Sequence, residues 1–270
     1  MEDYAIRIKG LTKDFGYKSG GFLLDSIDLD VKKNQFVTIL GPSGCGKSVL
    51  LNLMIGIERP TAGSIEYNGA VFENGIPKDY RKQLGFVFQD SNLLAWRTVK
   101  KNLLFPIEIF KMQKEIDGTK RADELLELIG MQKSGNSYPH ELSGGMKQRV
   151  NFVRGLMHDP DVLLLDQPFG ALDAITRKML NYDLLNLWKH THKTIVMVTN
   201  NVEEAILLSS RVVFMSKTPG RIKEIVDIDI PDEARGVEIA QYPGYADIVN
   251  KLETLVRTLD IKTSERDMLV

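Results

Sequence analysis

Residues 35–57 read QFVTILGPSGCGKSVLLNLMIGI, an apolar β-branched run, a glycine-rich loop and an apolar helical pattern in unbroken succession. Strand, loop and helix in that order are the context that turns the G-x-x-x-x-G-K-[ST] match at residues 41–48 into a phosphate cradle. Gly41, Gly44 and Gly46 let backbone N–H groups crowd around phosphate oxygens, and the helix that follows aims its positive end at them. Lys47 supplies a point charge for β- and γ-phosphates, and the Ser48 hydroxyl suits Mg²⁺. Pro42, Ser43, Cys45 and Val49 complete the candidate contacts of the loop.

Outward from this loop, DVLLLD at residues 161–166 is an apolar strand ending in Asp166. Its carboxylate falls at the carboxyl edge of the sheet, where ligands of open α/β folds bind, and its expected role is to orient Mg²⁺. Runs apolar on both faces recur in QFVTILG, DVLLLD, KTIVMVT and RVVFMS, the pattern of a parallel sheet. The opening YAIRIKG alternates instead, and GSIEYNGAVFENG carries Asn-Gly pairs at 68–69 and 74–75, which predict antiparallel hairpins. Between the two groups, TKRADELLELIG sets Ala122, Leu125, Leu126 and Ile129 on one helical face before Gly130. Residues 92 to about 150 read as a helical subdomain. After Gly220 the pattern changes, and Ile248, Val249, Leu252, Leu255, Val256 and Leu259 keep the spacing of an amphipathic carboxyl-terminal helix.

A chain of 270 residues can bury a full α/β core as one elaborated domain. Thirty-five basic and thirty-six acidic residues give a net charge of -1, without the basic footprint that neutralises nucleic-acid phosphates, so no nucleic acid is expected as a partner. The lone Cys45 cannot form an internal disulfide, and MEDYAIRIKG has neither a basic nor an apolar leader region, so a cytosolic chain is expected. The apolar runs at 36–40 and 162–165 fall far short of the ~20 residues needed to cross a bilayer, which leaves membrane work to a partner.

LSGGMKQR at residues 142–149 stands between the two phosphate motifs. With it the chain resembles the nucleotide-binding subunits of ABC transporters over about residues 4–222. The resemblance implies an α/β fold, a P-loop NTPase (RecA-like) core with an antiparallel β subdomain and an ABC-type helical subdomain. It implies ATP and Mg²⁺ as ligands, and two subunits clasping two ATP molecules head to tail. Ser143, Gly144 and Gly145 then donate across the interface to the partner's γ-phosphate. Gln89, in FVFQDSNLLAW, matches the glutamine that touches Mg²⁺ and senses the γ-phosphate. ALD at residues 171–173 matches the loop that crosses the dimer interface, with Asp173 at its end. Phe15 falls where the family stacks a ring on adenine, and Tyr17 competes for that role. NLLAWRTVKKNL, PFGALDA and KTPGRIKEIVDIDIP resemble the nitrate, sulfonate and taurine importer branch, although Ala95 replaces a common proline. Trp96 reads equally as a wall of the groove where a membrane subunit docks or as a core residue.

Two positions depart from the family pattern. Gln167 follows Asp166 where the family has a glutamate that polarises water, and Asn200, in VMVTNNVEEA, stands at the place of the switch histidine. An amide cannot take a proton from water as a carboxylate does, so binding is expected to survive and hydrolysis to slow. Two origins of Gln167 stay open, an exchange introduced to trap ATP and a natural degenerate site paired with a competent partner. The implied protein is the ATP-binding subunit of an importer for a small oxyanion or organic anion. Its implied partners are a second ATPase subunit, membrane-spanning permease subunits and an extracytoplasmic solute-binding protein, with this chain at the cytoplasmic face of the membrane. A lipid-handling or exporting complex and a non-transport ATPase are the rivals. Residues 223–270 form an extension of no assigned role.

Overall fold

A computed structural model describes residues 3–16, 23–170, 172–217 and 219–267, with the side chains of the last helix up to residue 258. In chain order the elements are β1 (Tyr4–Lys13), β2 (Leu24–Lys32), β3 (Phe36–Leu40), α1 (Lys47–Ile55), β4 (Ala62–Tyr67), β5 (Ala70–Phe72), β6 (Leu84–Val87), α2 (Val99–Phe110), α3 (Gly118–Leu128), α4 (Gly144–Gly155), β7 (Val162–Asp166), α5 (Ala174–Thr191), β8 (Thr194–Val198), α6 (Val202–Leu208), β9 (Arg211–Ser216), β10 (Arg221–Asp227) and α7 (Tyr245–Asp267). The described residues of Met1–Lys78 and Thr194–Val270 form one unit, and those of Asp79–Lys193 another.

The first unit holds both kinds of strand that the patterns predict. β2, β1, β4 and β5 pair antiparallel in that order. Asn68 and Gly69 take φ of 47° and 88°, the left-handed pair that a two-residue hairpin turn demands, and β4 folds onto β5 across them. The second Asn-Gly pair makes no hairpin among the described residues, because the sheet ends at β5 and Gly75 lies against Arg59 instead. Elsewhere in the unit β3 is central, parallel to β8 on one side and β9 on the other, and every residue of FVTIL is buried. A strand covered on both faces needs no polar alternation, which is why its sequence reads as a continuous apolar run.

β10 pairs antiparallel with β9 and runs to Asp227, a few residues past 222, where the resemblance drawn from the sequence ends. RIKEIVD carries only Val226 as a buried side chain, which hides the strand from a reading based on apolar runs. The chain then returns to its unit through Arg235, which is only 3% exposed. The guanidinium donates to the carbonyls of Ile206 (2.7 Å), Leu207 (3.3 Å), Ile228 (3.3 Å) and Ile230 (3.1 Å), and pairs with Asp232 at 3.2 Å. Ile206 and Leu207 lie in the last turn of α6, so the cation also meets that helix's negative end. On α7, Leu252 is fully buried and Ile248, Val249, Leu255 and Val256 are half-buried, while the side chain of Leu259 lies outside the described residues.

In the second unit β6 and β7 pair parallel, and α2, α3 and α4 supply the helices expected over residues 92–150. Ala122, Leu125 and Leu126 form the buried stripe of α3, and Gly130 turns the chain just beyond it at φ 67°. The sequence pattern offers no separate strand at β6, because Gly85 splits the apolar run. A Cβ there would strike the Gly155 carbonyl at the end of α4, and Leu163 Cδ1 at 2.7 Å. Strand and helix approach closely because of that glycine.

His158, buried just after α4, has Nε2 3.1 Å from the Leu84 carbonyl, so that nitrogen carries the proton of the neutral ring. Nδ1 has no hydrogen-bond partner among the described residues. Burial lowers the imidazole pKa, with Lys193 adding to the effect and the Leu84 bond and Asp159 opposing it. Below about pH 6.5 the unfolded chain binds a proton that the folded ring refuses, so stability is full above that value and falls as pH drops through it. Thermal unfolding followed between about pH 7.5 and 5.5 should decline less steeply in His158→Gln. An equal slope in both proteins would remove this histidine from the account.

Candidate functional site

β3 delivers the chain to the phosphate loop at Gly41. Gly44 and Gly46 take φ of 79° and 98°, the left-handed region that needs glycine. Gly41 is required for a different reason: a Cβ there would sit 2.6 Å from the Met215 carbonyl. Gly46 has both constraints, since its Cβ would fall 2.5 Å from Leu24 Cδ2. Ser43 and Gly44 are exposed, Ser48 and Val49 half-buried, and Pro42, Cys45 and Lys47 buried. The Lys47 ammonium donates to the carbonyls of Gly41 (2.7 Å) and Pro42 (2.9 Å) and lies 3.8 Å from Cys45 Sγ. It braces the loop from beneath.

The start of α1 differs from its counterparts. Helices α2 to α6 each have an N-cap side chain, Thr98, Asp117, Ser143, Asp173 and Asn201, accepting from their own first turn. α1 begins at Gly46 with no side-chain cap and no acidic residue in its first turn. A helix start without a capping side chain or an acidic first turn is suited to an anion.

Burial pushes the Cys45 thiol pKa up, against the lowering effect of Lys47, and the residue is 1% exposed. Alkylation of the folded chain should accordingly be slow. Once complete, it should abolish ATP binding, because a Cβ on Gly41 already falls 3.0 Å from Sγ and the loop has no room for an adduct. Unchanged ATP affinity after stoichiometric modification, followed by mass spectrometry, would refute this.

Asn200 stands exposed just past β8, in the unit that carries the loop. The preceding Thr199 is fixed from two sides, its N–H bonded to the Ile39 carbonyl (3.3 Å) and its hydroxyl to Glu204 (2.5 Å). Asn200 thus occupies the strand edge from which the loop also springs. Phe15 lies beyond β1, 40% exposed, with the Lys13 ammonium 4.7 Å above its ring. Tyr17, its competitor, lies outside the described residues.

The second unit gathers Asp166, Gln167 and Gln89. Asp166 ends β7, and Gln167 follows in a left-handed conformation, φ 43°. Gly170 donates to the Gln167 carbonyl at 3.1 Å. A Cβ on Gly170 would meet both that carbonyl and Gln89 Nε2 at 3.5 Å, so the two glutamines share one corner. Ser143 caps α4 by accepting from Met146 N–H (3.3 Å), and Gly145 permits α5 to approach, its Cβ position lying 2.9 Å from Thr176 Cγ2. Gly144 has more room, with Leu172 Cδ2 at 3.8 Å. Asp173 caps α5 and is held below the ordinary carboxylate pKa, first by the backbone N–H of Thr176. Ala171 of the same motif lies outside the described residues.

Trp96 is 74% exposed, which excludes the core reading. Its turn is nevertheless firm, because buried Asn102 accepts from Leu94 N–H (2.7 Å) and donates to the carbonyls of Leu94, Arg97 and Thr98. Sequence reasoning does not reach Asn102, nor Gly220, which packs so tightly behind the loop that a Cβ would collide with the Cys45 carbonyl. The Pro-Gly pair at 219–220 signals a turn and nothing about what it supports.

Residues 24–170 match the family model described as ABC transporter. The taurine import ATP-binding protein of Pelagibacter ubique is 37% identical over 251 residues, 91% of each chain. The aliphatic sulfonates import ATP-binding protein of Bacillus cereus is 41% identical over 227 residues, 84% of this chain and 87% of the relative. A solved dimeric ATP-binding cassette, in a post-hydrolysis state with ADP and Pi, is similar at TM-score 0.72 and 30% identity, covering 84% of this chain and 100% of the other. A family match over more than half of the sequence, with relatives alike along most of both chains, makes this protein a member of the ABC transporter family, an ATPase cassette on the P-loop α/β fold.

Proposed function

We propose that this chain is the ATP-binding subunit of an importer for a small oxyanion or organic anion. The observation that carries the reading is the start of α1, which has no capping side chain where α2 to α6 each have one, behind a glycine loop braced by Lys47. Those residues fit a triphosphate. Ser48, Gln89 and Asp166 would hold Mg²⁺, which neutralises phosphate charge when bound. Phe15 would stack on adenine. Ser143, Gly144, Gly145 and Asp173 would serve the triphosphate held by a second subunit, identical or closely related. Gln167 and Asn200 leave the site slow in hydrolysis.

The choice of import and of an anion rests on the taurine and aliphatic sulfonate relatives, whose named solutes share a sulfonate group. Trp96, presented on a pinned turn, suits docking of a membrane-spanning permease at the cytoplasmic face. No helix among the described residues is long and apolar enough to cross a membrane, and the proposed attachment is through that permease. An extracytoplasmic solute-binding protein would deliver the solute. Equilibrium dialysis with Mg²⁺ and ATP, and purification of the chain from solubilised membranes, test the reading. Retained nucleotide and a co-purifying multi-spanning protein are expected. No retained adenine nucleotide would end it.

A further inference from the structure

Three polar side chains on α4 grip two loops by their backbones. Gln148 Nε2 donates to the Pro168 carbonyl (2.6 Å) and Asn151 Nδ2 to that of Phe88 (3.2 Å). Arg154 donates from Nη1 to the Asn92 carbonyl (2.9 Å), and from Nη2 to the Ser91 carbonyl (2.8 Å) and Asn151 Oδ1 (2.9 Å). Spaced at i, i+3 and i+6, the three lie along one side of the helix. Gln148 is 5% and Asn151 1% exposed, and the Gln148 bond is made out of water.

The acceptors bracket the two glutamines. Phe88, Ser91 and Asn92 flank Gln89, and Pro168 follows Gln167. Both loops also contain a strained residue, Asn92 at φ 44° and Gln167 at φ 43°. Strain of this kind persists only where surrounding contacts over-determine the backbone, and here the contacts come from α4. The other end of that helix is the Ser143 turn, and its flank is tied to α5 by Arg149 and Asp183 at 2.7 Å.

We propose that Gln148, Asn151 and Arg154 are positioning residues, a seam through which the helix opened by Ser143 sets the placement of Gln89 and Gln167 together. This rests on the proposed nucleotide site. Movement of α4 then carries both amides at once, and loosening the seam uncouples them from the helix.

The test uses the full chain with Gln167→Glu as parent, compared with added Arg154→Met, Arg154→Lys or Gln148→Met. Hydrogen exchange at residues 86–93 is expected to accelerate in Arg154→Met, while exchange at residues 41–48 stays unchanged. Turnover should fall by about tenfold to 10²-fold, the scale on which misplacement by an ångström costs rate. ATP affinity should stay within about threefold, since the phosphate loop is not touched. Arg154→Lys should recover part of the loss, because it keeps the charge and loses the fork. If Arg154→Met does not fold, Gln148→Met breaks the single bond to the Pro168 carbonyl, and exchange at residues 166–170 is then expected to accelerate with the same fall in turnover; unaltered exchange there overturns the proposal. Unaltered exchange at residues 86–93, or parental turnover despite accelerated exchange, overturns the proposal. Should the parent bind no ATP or turn none over, the function reading fails, and loop exchange alone then decides the seam.

Discussion

Gln167→Glu is expected to raise ATP hydrolysis by about 10²–10⁴-fold, the contribution of a positioned general base, with ATP affinity changed by less than about threefold. The exchange is nearly isosteric. The backbone at 167 is held by Gly170 donating to its carbonyl and by Gln148 bonded to Pro168, so the new carboxylate should take the place of the amide without moving the turn. An amide can orient water and cannot accept its proton. Phosphate release at saturating Mg²⁺ and ATP checks the prediction. A rate that stays at the parental level would shift the deficit to Asn200, or to a subunit that contributes to catalysis only beside a different partner.

Lys47→Ala carries the second large effect, a loss of ATP affinity by about 10²-fold, from a charge-assisted contact worth roughly 1.5–3 kcal/mol and the brace that goes with it. Lys47 is 4% exposed, and its ammonium bonds the buried carbonyls of Gly41 and Pro42. Removing it leaves both without that donor, so thermal stability should fall as well, by about 1–3 kcal/mol. Equilibrium dialysis measures the first effect and thermal unfolding the second. Affinity within about threefold of the parent would show that the loop backbone and α1 hold the phosphates without it.

The fold is legible in the sequence wherever burial is uniform or a turn has its own chemistry. β3, β7, β8 and β9 announce themselves because both faces are covered, and the β4–β5 hairpin because Asn68 and Gly69 can adopt left-handed angles. β6 and β10 escape notice: Gly85 splits one apolar run, and only one side chain of the other strand is buried. The phosphate loop is legible for a stricter reason, since strand, glycines, lysine and helix must all coincide. The α4 seam is not. Gln148, Asn151 and Arg154 show helical spacing, yet their partners are carbonyls up to 63 residues away, and a carbonyl has no letter of its own. Trp96 belongs to the same class, because nothing in AWRT distinguishes an exposed tryptophan from a buried one.

Arg235 sits 65 residues past the end of the segment that matches the family model, yet its guanidinium stitches the tail to α6, the helix that begins two residues after Asn200. Trimming the polypeptide to a minimal cassette would therefore open a wound in the ATPase rather than remove an ornament. Variants isolated near residue 235 should be screened for nucleotide turnover as well as for expression.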